Sequence, residues 1–157
     1  MINHIWSVLC RKSVIDRDTN NISIFDVFEQ LSVDAKIKEN PDNNENKDNK
    51  KINLPIEYEL ISFWVKDSRQ SPFHFKGDVK VEITNPKGLS EKSFEQVLEM
   101  PKDMKRLRAR MIINGLIIEE SGIYNFIVSI KEPGNQKYKK VSEVPLEVIV
   151  NKEIAKA

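Results

Sequence analysis

The chain has 157 residues, of which 39% are hydrophobic and 31% charged, and its formal net charge is +1. This composition predicts one soluble globular domain over residues 1–157, large enough to need no disulfide or structural metal. The near-zero net charge argues against bulk attraction to nucleic acid or anionic membranes. Cys10 is the only cysteine, and no run approaches the roughly 20 apolar residues of a membrane span. We therefore expect a cytoplasmic protein with no membrane partner.

The first part of the chain predicts two strands joined by a tight turn. Residues 4–15 predict a strand with Trp6, Val8, Cys10 and Val14 on one face and Ile5 and Leu9 on the other. Residues 16–21 are rich in Asn and Asp, which bond to their own backbone and are typical of hairpin turns. Residues 22–33 then predict one long strand. It is apolar on both faces, which indicates a bulge or cover on both sides.

A polar segment follows this strand. Between residues 36 and 51 the only apolar side chain is Ile37. Such a segment cannot offset the entropy lost on ordering. We predict a mobile surface loop over residues 36–53, most simply a tolerated insertion.

The middle of the chain predicts further strands separated by turns. Residues 55–66 predict a strand, and residues 79–84 show the clearest half-buried alternation. Residues 85–88 fit a type I turn, with proline second and glycine fourth. Residues 93–100 are compatible with a strand or a helix. We favour the strand, because the neighbouring strands need a partner.

The C-terminal part is organised around residues 122–130, whose even-numbered positions are all apolar or aromatic. This alternation predicts a central strand. Tyr124 lies where β-sandwiches place a tyrosine corner, so its hydroxyl is expected to bond to the backbone. Residues 138–150 predict a last strand, and Pro145 within it indicates an edge strand or a change of partner. The tail at 151–157 is predicted to be frayed.

Short strands separated by turn signals, without βαβ alternation or internal repeats, predict the fold class. We expect an all-β domain, specifically an antiparallel immunoglobulin-like β-sandwich with Greek-key connections.

Two stretches resemble a family of small uncharacterised bacterial proteins. The first is Asp16-x-x-Thr-Asn-Asn-Ile-Ser-Ile-Phe-Asp-Val-Phe-Glu29, a hairpin turn followed by a strand. The second is Ser121-Gly-Ile-Tyr-Asn-Phe-Ile-Val128. The resemblance spans most of the chain, and its motifs are turn residues and core aromatic residues. It implies an immunoglobulin-like β-sandwich and no known activity. The Asn- and Lys-rich loop departs from the compact family pattern.

Few side chains could support catalysis or bind a metal. His4 and His74 are the only imidazoles, and pairing either with Cys10 would rest on inventory alone. No zinc-ligand spacing, nucleophile elbow, P-loop or dinucleotide fingerprint is present. We therefore expect no catalytic residues, no metal and no cofactor, and do not expect an enzyme. A hydrolase that uses His74 with nearby carboxylates is the least favoured alternative.

Two groups of polar side chains have simpler explanations than chemistry. Glu57 and Glu59 lie two residues apart on one strand face, where carboxylates are more often solvated than an acid–base pair. Four side chains of the first turn could offer oxygen ligands to calcium, namely those of Asp16, Asp18, Asn20 and Asn21, but such residues occur routinely in hairpin turns.

The most distinctive charged feature is an arginine stripe at Arg106, Arg108 and Arg110. On a strand these side chains share one face and could bind the phosphates of nucleic acid or an acidic ligand. The aromatic residues that usually accompany single-strand binding are missing from this segment. The simpler interpretation is pairing with glutamates of a neighbouring strand, such as Glu95 and Glu99.

Apolar side chains at positions expected to face solvent predict an interface. If the even positions of residues 122–130 face inward, the odd ones face outward, and apolar residues of the preceding segment join them. A contiguous outer apolar patch usually marks an interface or cover by another segment. We therefore predict a non-enzymatic interaction or accessory module that binds a protein partner or itself, with the arginine stripe as the alternative site. The predicted interface residues are Ile112, Leu116, Ile118, Ile123 and Ile127.

Overall fold

The structure is a computed structural model that describes residues 1–38 and 51–155. Within these residues it contains nine β-strands and no helix. In chain order the strands are β1 (Ile2–Ile15), β2 (Ile22–Val27), β3 (Gln30–Lys38), β4 (Ile52–Lys66), β5 (Phe75–Thr84), β6 (Ser90–Met100), β7 (Arg106–Ile118), β8 (Gly122–Lys131) and β9 (Lys139–Ala155).

The strands form two sheets that pack around one core. Sheet A has the strand order β2-β1-β4-β7, and sheet B has the order β3-β9-β8-β5-β6. All neighbouring strands are antiparallel except β3 and β9, which run parallel. The domain is therefore all-β and mostly antiparallel. The prediction of a wholly antiparallel arrangement is wrong at β3, because β3 and β9 are joined by a long crossover through the other strands rather than by a hairpin.

β8 lies at the centre of sheet B, as its alternation predicted. Tyr124, Phe126 and Val128 are fully buried in the core. The ring of Phe126 meets the ring of Tyr58 on β4 edge to face, with the centroids 6.0 Å apart. Such a contact contributes about 0.5–1.5 kcal/mol beyond the burial of area, so it helps to hold the two sheets together.

The predicted single strand over residues 22–33 is wrong, because the chain changes sheets within it. Asp26, near the end of β2, has a φ of +52°, a left-handed conformation that Asp tolerates better than most residues. The carbonyl of Glu29 then accepts a hydrogen bond from the N–H of Glu147 at 3.1 Å, beside the start of the β3–β9 pairing. The apolar side chains of this segment therefore serve two different sheets.

β9 changes its partner near Pro145, which confirms the expectation for a proline within this strand. It pairs with β8 up to Val148 and with β3 from Glu147 to Ala155. Pro145 therefore lies in the part of β9 that pairs with β8 alone. Proline has no backbone N–H, and at this position no second neighbouring strand requires one. The predicted frayed tail is wrong as far as residue 155, because β3 pairs with this part of the chain.

The predicted loop over residues 36–53 is shorter at both ends than expected. Residues 36–38 belong to β3 and residues 52–53 to β4, while the prediction for residues 39–50 lies outside the described residues. The strand prediction for residues 93–100 is confirmed, since they lie in β6. The turn at 85–88 is confirmed as well, because the N–H of the glycine at its end donates to the carbonyl at its start at 2.8 Å.

A bulge at Gly115 changes which side of β7 faces the core. Gly115 has a φ of +82°, and the pairing of β7 with β4 shifts its register opposite this position. Ile113 faces the core before the bulge, and Leu116 and Ile118 face it afterwards. The last two are 2% and 0% exposed, so their predicted place in an outward patch is wrong.

Sheet A curls because β1 leaves β4 partway along its length. The pairing of β1 with β4 ends at Cys10 and Glu59, whereas β1 continues to Ile15 paired with β2 alone. The end of the β1–β2 hairpin is therefore free to bend out of the plane of the sheet.

Candidate interaction surfaces

The end of the β1–β2 hairpin folds over the outer face of sheet A, which is the face that points away from the core. The hydroxyl of Ser13 donates a hydrogen bond to the carboxylate of Glu59 on β4. Arg110 on β7 donates from Nη2 to Glu59 Oε1 at 3.1 Å and to the carbonyl of Ser13 at 3.3 Å. Glu59 is only 7% exposed, and the outward-pointing Ile61 is fully buried. The hairpin end thus covers the centre of this face.

The predicted arginine stripe lies on this face, but its three side chains differ in their surroundings. Arg110 is paired with Glu59. Arg108 donates from Nη2 to the carbonyl and side-chain oxygens of Asn20, at 2.6 and 2.9 Å. Arg106 is exposed. Neither Arg106 nor Arg108 forms an ion pair with a carboxylate in the described part of the chain.

The expected partners of the stripe are in the other sheet. Glu95 and Glu99 lie on β6, which is an edge of sheet B and pairs with β5. Glu99 bonds instead to His74. The predicted pairing of the stripe with these two glutamates is therefore wrong. The arginines and the glutamates lie in different sheets, and the order of strands in a sheet cannot be predicted from a local sequence pattern.

Aromatic side chains line up with the arginines across sheet A. Trp6 pairs with Phe63, and Phe63 pairs with Arg108, so the three side chains form one row on the outer face. The rings of Trp6 and Phe63 have centroids 5.5 Å apart and are tilted by 32°. Both side chains are half-buried. These rings belong to β1 and β4, so the sequence of the segment that carries the arginines does not contain them.

The remaining members of the predicted apolar patch lie on different sheets. Ile112 is 57% exposed on β7 of sheet A, whereas Ile123, which is 44% exposed, and Ile127 lie on β8 of sheet B. Ile127 is flanked in register by Glu82 and Glu143. These described residues therefore do not form one contiguous apolar surface.

Exposed apolar side chains cluster instead on the β1–β2 hairpin. Phe25 and Val27 on β2 are 51% and 49% exposed, and Val14 on β1 is 46% exposed. β2 is an edge of sheet A and pairs with β1 alone among the described strands. The sequence did not reveal this surface. Residues 22–33 were predicted to form one strand, and a strand that is apolar on both faces is expected to be covered on both faces.

A hollow of about 510 Å³ lies where β1 separates from β4. Three basic side chains, those of Arg11, Lys12 and Arg110, line it together with the carboxylates of Glu57 and Glu59. The charges are nearly balanced, and Glu59 is already engaged by Arg110. The hollow therefore offers no strong preference for an anion or a cation, and Glu59 is not a solvated member of an acid–base pair.

His74 has a carboxylate partner but no surrounding catalytic set. Its Nε2 lies 2.9 Å from Oε1 of Glu99, and both side chains are about half exposed. His74 borders a hollow of about 360 Å³, and the described residues that line it include no serine, threonine or cysteine. This arrangement gives no support to nucleophilic chemistry at His74.

Cys10 and the acidic hairpin turn have structural roles. Burial, together with the nearby carboxylate of Glu59, raises the pKa of the Cys10 thiol and so disfavours the reactive thiolate. Asp16 Oδ1 accepts hydrogen bonds from the N–H groups of Thr19 and Asp18, which lower the pKa of Asp16 and close the turn. In the part of the chain that the structure describes, no three His, Cys, Asp or Glu side chains are grouped to hold a metal.

Across residues 1–38 and 51–155, no helix has the length and apolar character needed to cross a lipid bilayer. The sequence matches no protein-family model and no curated protein. What this chain does must therefore be inferred from its own surfaces.

Proposed function

We propose that this protein is a non-enzymatic interaction module that associates with a second copy of itself by pairing the free edges of β2. The observation that carries the proposal is the exposure of Phe25 and Val27, about one half each, on a strand with one neighbour. An edge strand presents unpaired N–H and C=O groups, and apolar side chains on it bury further area when another strand pairs with it.

The other sheet edges carry charges that oppose strand pairing. Exposed or half-exposed charged side chains are distributed over β7, β6 and β3, namely Arg106, Arg108, Arg110, Lys92, Glu95, Glu99, Asp34 and Lys36. Proteins commonly guard their edge strands in this way. On β2 the only charged residue is Asp26. Among the described edges β2 is thus the least guarded.

The chemistry of this edge suits a second copy. When two sheets join edge to edge, the side chains that meet across the new pair share one face. In the antiparallel register that places Phe25 opposite Phe25, Val27 of each copy would meet Ser23 of the other and Asp26 would meet Ile24, so no like charges face each other. A net charge of +1 adds little long-range repulsion between copies.

The association is expected to be weak, because the six residues of β2 are far fewer than the roughly 20–30 residues a side of a standard interface. Sedimentation velocity between about 10 µM and about 1 mM is the appropriate measurement. The wild-type chain is expected to shift from monomer to dimer over this range. Phe25→Lys is expected to stay monomeric.

Val97→Lys is the matched control, since Val97 is 54% exposed on β6, the edge of sheet B. This variant is expected to behave like the wild type. A wild-type chain that is monomeric at about 1 mM overturns the proposal, and so does an equal loss of dimer in both variants.

We include in this proposal an immunoglobulin-like topology with Greek-key connections, membership of the bacterial family that the sequence resembles, and a cytoplasmic location. The hydroxyl of Tyr124, which bonds to the backbone as a tyrosine corner does, supports the topology. The buried free thiol of Cys10 suits a reducing compartment.

A further inference from the structure

The outer face of sheet A carries a second surface, formed by Trp6, Phe63, Arg106 and Arg108 and here named the Trp–Arg face. The register places Trp6 beside Phe63 and Phe63 beside Arg108, on strands about 4.8 Å apart. Arg106 lies two residues away on β7 and on the same side, about 6.7 Å along the strand. Two partly buried rings therefore lie next to two cationic side chains.

The two cations of this face are available to an anion. Arg110, the next arginine of the stripe, is paired with Glu59 at 3.1 Å. Arg106 is exposed, and within the described residues Arg108 hydrogen-bonds through Nη2 to Asn20 alone. A guanidinium keeps its charge at any physiological pH and matches the geometry of phosphate oxygens. The face is thus locally positive although the chain is nearly neutral.

We propose that the Trp–Arg face binds single-stranded nucleic acid, with a base stacked on the Trp6–Phe63 pair and phosphates bound by Arg106 and Arg108. Aromatic rings accept any base, and a neighbouring positive surface follows the backbone, which is how sequence-tolerant single-strand sites work. A duplex keeps its bases stacked on one another and cannot offer them to a sheet face. The site lies on β1, β4 and β7, apart from the edge of β2, so it is independent of self-association.

The two tryptophans of the chain provide an internal probe. Trp6 is partly exposed on this face, whereas Trp64 is fully buried in the core. A stacked base is expected to quench the fluorescence of Trp6. The titrant is oligo(dT) of about 12 nucleotides, within the usual range of single-strand site sizes. Anisotropy of the same oligonucleotide carrying a dye gives an independent affinity.

The salt dependence of binding counts the phosphate contacts. For single strands, the logarithm of the association constant falls with the logarithm of salt concentration by about 0.7 per neutralised phosphate, so two arginines predict a slope of about −1.4. Arg106→Gln is expected to reduce the slope to about −0.7. Lys139→Gln removes the same charge from an exposed position on β9 of sheet B and is expected to leave the slope unchanged.

Two substitutions of Trp6 test stacking separately from charge. Trp6→Phe keeps a ring and is expected to bind the labelled oligonucleotide within about twofold of the wild type, whereas Trp6→Leu is expected to bind at least about fivefold more weakly. Circular dichroism checks that each variant folds. If Trp6→Leu does not fold, the slope of Arg106→Gln still decides the proposal.

Quenching by oligo(dT), together with the reduced slope in Arg106→Gln, supports the proposal. No quenching at low salt, a slope that Arg106→Gln leaves unchanged, or equal affinity for a duplex of the same length overturns it. Thymidine monophosphate, which carries one base and one phosphate, tests whether the face binds a free nucleotide rather than a strand. If it binds as tightly as the oligonucleotide, the assignment to a nucleic-acid strand is wrong.

Discussion

The hydroxyl of Tyr124 is bonded to the backbone of Glu120 in both directions. Its oxygen accepts hydrogen bonds from the N–H groups of Glu119 and Glu120, at 3.0 and 3.3 Å, and it donates to the carbonyl of Glu120 at 3.0 Å. The side chain is fully buried. The backbone clamp expected at Tyr124 is thus confirmed, and it fixes the turn between β7 and β8 to the strand that follows.

Tyr124→Phe is expected to lower the free energy of unfolding by about 1–3 kcal/mol, because it leaves two N–H groups and a carbonyl without their partner. Urea denaturation measures the change. Tyr138→Phe is the control, since the hydroxyl of Tyr138 makes no hydrogen bond to the backbone of the described residues. An equal loss in both variants would show that the clamp contributes nothing specific.

Arg110→Ala is expected to destabilise the protein by removing the partner of Glu59. Separating a fully buried ion pair costs about 3–5 kcal/mol, and the 35% exposure of the Arg110 side chain reduces the expected loss to about 1–3 kcal/mol. Replacing both residues by leucine is expected to recover part of it. Urea denaturation of the single and double variants measures these changes. Arg106→Ala is expected to change stability by less than about 0.5 kcal/mol, and a similar loss there would contradict the explanation.

Lys66→Met is expected to loosen two loops at once. Lys66 is 8% exposed, and its ammonium donates to the carbonyls of Phe73 and Pro101, at 2.5 Å each, and of Lys102 at 3.3 Å. Methionine keeps the apolar stem but leaves these carbonyls unpaired, at a cost of about 1–3 kcal/mol. Limited proteolysis is expected to cleave faster in the loops that carry them. Lys76→Met, at an exposed position, is the control, and equal cleavage rates in the two variants would refute the role of Lys66.

His4 is expected to make the protein less stable as the pH falls below about 6.5. Burial lowers the pKa of His4 below its ordinary value of 6.5, so the unfolded chain binds this proton more readily than the folded one does. The stability contributed by the neutral ring is therefore complete above about pH 6.5 and declines as the pH falls towards the lower pKa of the folded state. Urea midpoints at pH 7.5 and 5.5, which lie roughly one unit above and below the ordinary histidine pKa, measure the loss of stability.

His4→Phe is expected to flatten this dependence, and His74→Gln, at an exposed position, is expected to keep it. Asp67 does not contribute in this window, because its hydrogen bonds with Arg69 lower its pKa to about 2. If His4→Phe keeps the full dependence on pH, another group is responsible.

Alternation within single strands was sufficient to predict much of the architecture. The inward and outward sides of β5, β8 and the first part of β7 follow from period-2 patterning, which depends on local backbone geometry alone. The change of sheet at Asp26 was not predictable, since a run that is apolar on both faces fits one doubly covered strand as well as two strands in different sheets. Leu116 and Ile118 were misplaced because Gly115 alone stands opposite two residues of β4, and this irregularity reverses the phase of β7.

The candidate sites depend on register between strands that are far apart in the chain. The arginine stripe itself was visible in the sequence, but its alignment with Trp6 and Phe63 and its contacts with Glu59 were not. Nothing in a local pattern states which residues pair across a sheet. The exposed edge at Phe25 was hidden for the same reason, because its exposure depends on which strands have neighbours.

The parallel pairing of β3 with β9 has a consequence for the synthesis of the chain. Asn151 donates to the carboxylate of Asp34 at 3.0 Å across this pair, and the two residues are 117 positions apart. At about 5–20 residues per second, the ribosome produces the partner of β3 roughly 6–23 s after β3 itself. During that interval β3 has unpaired groups on both edges, and unpaired edges can pair with other chains. The pairing of β3 is therefore completed only after β9 has been synthesised.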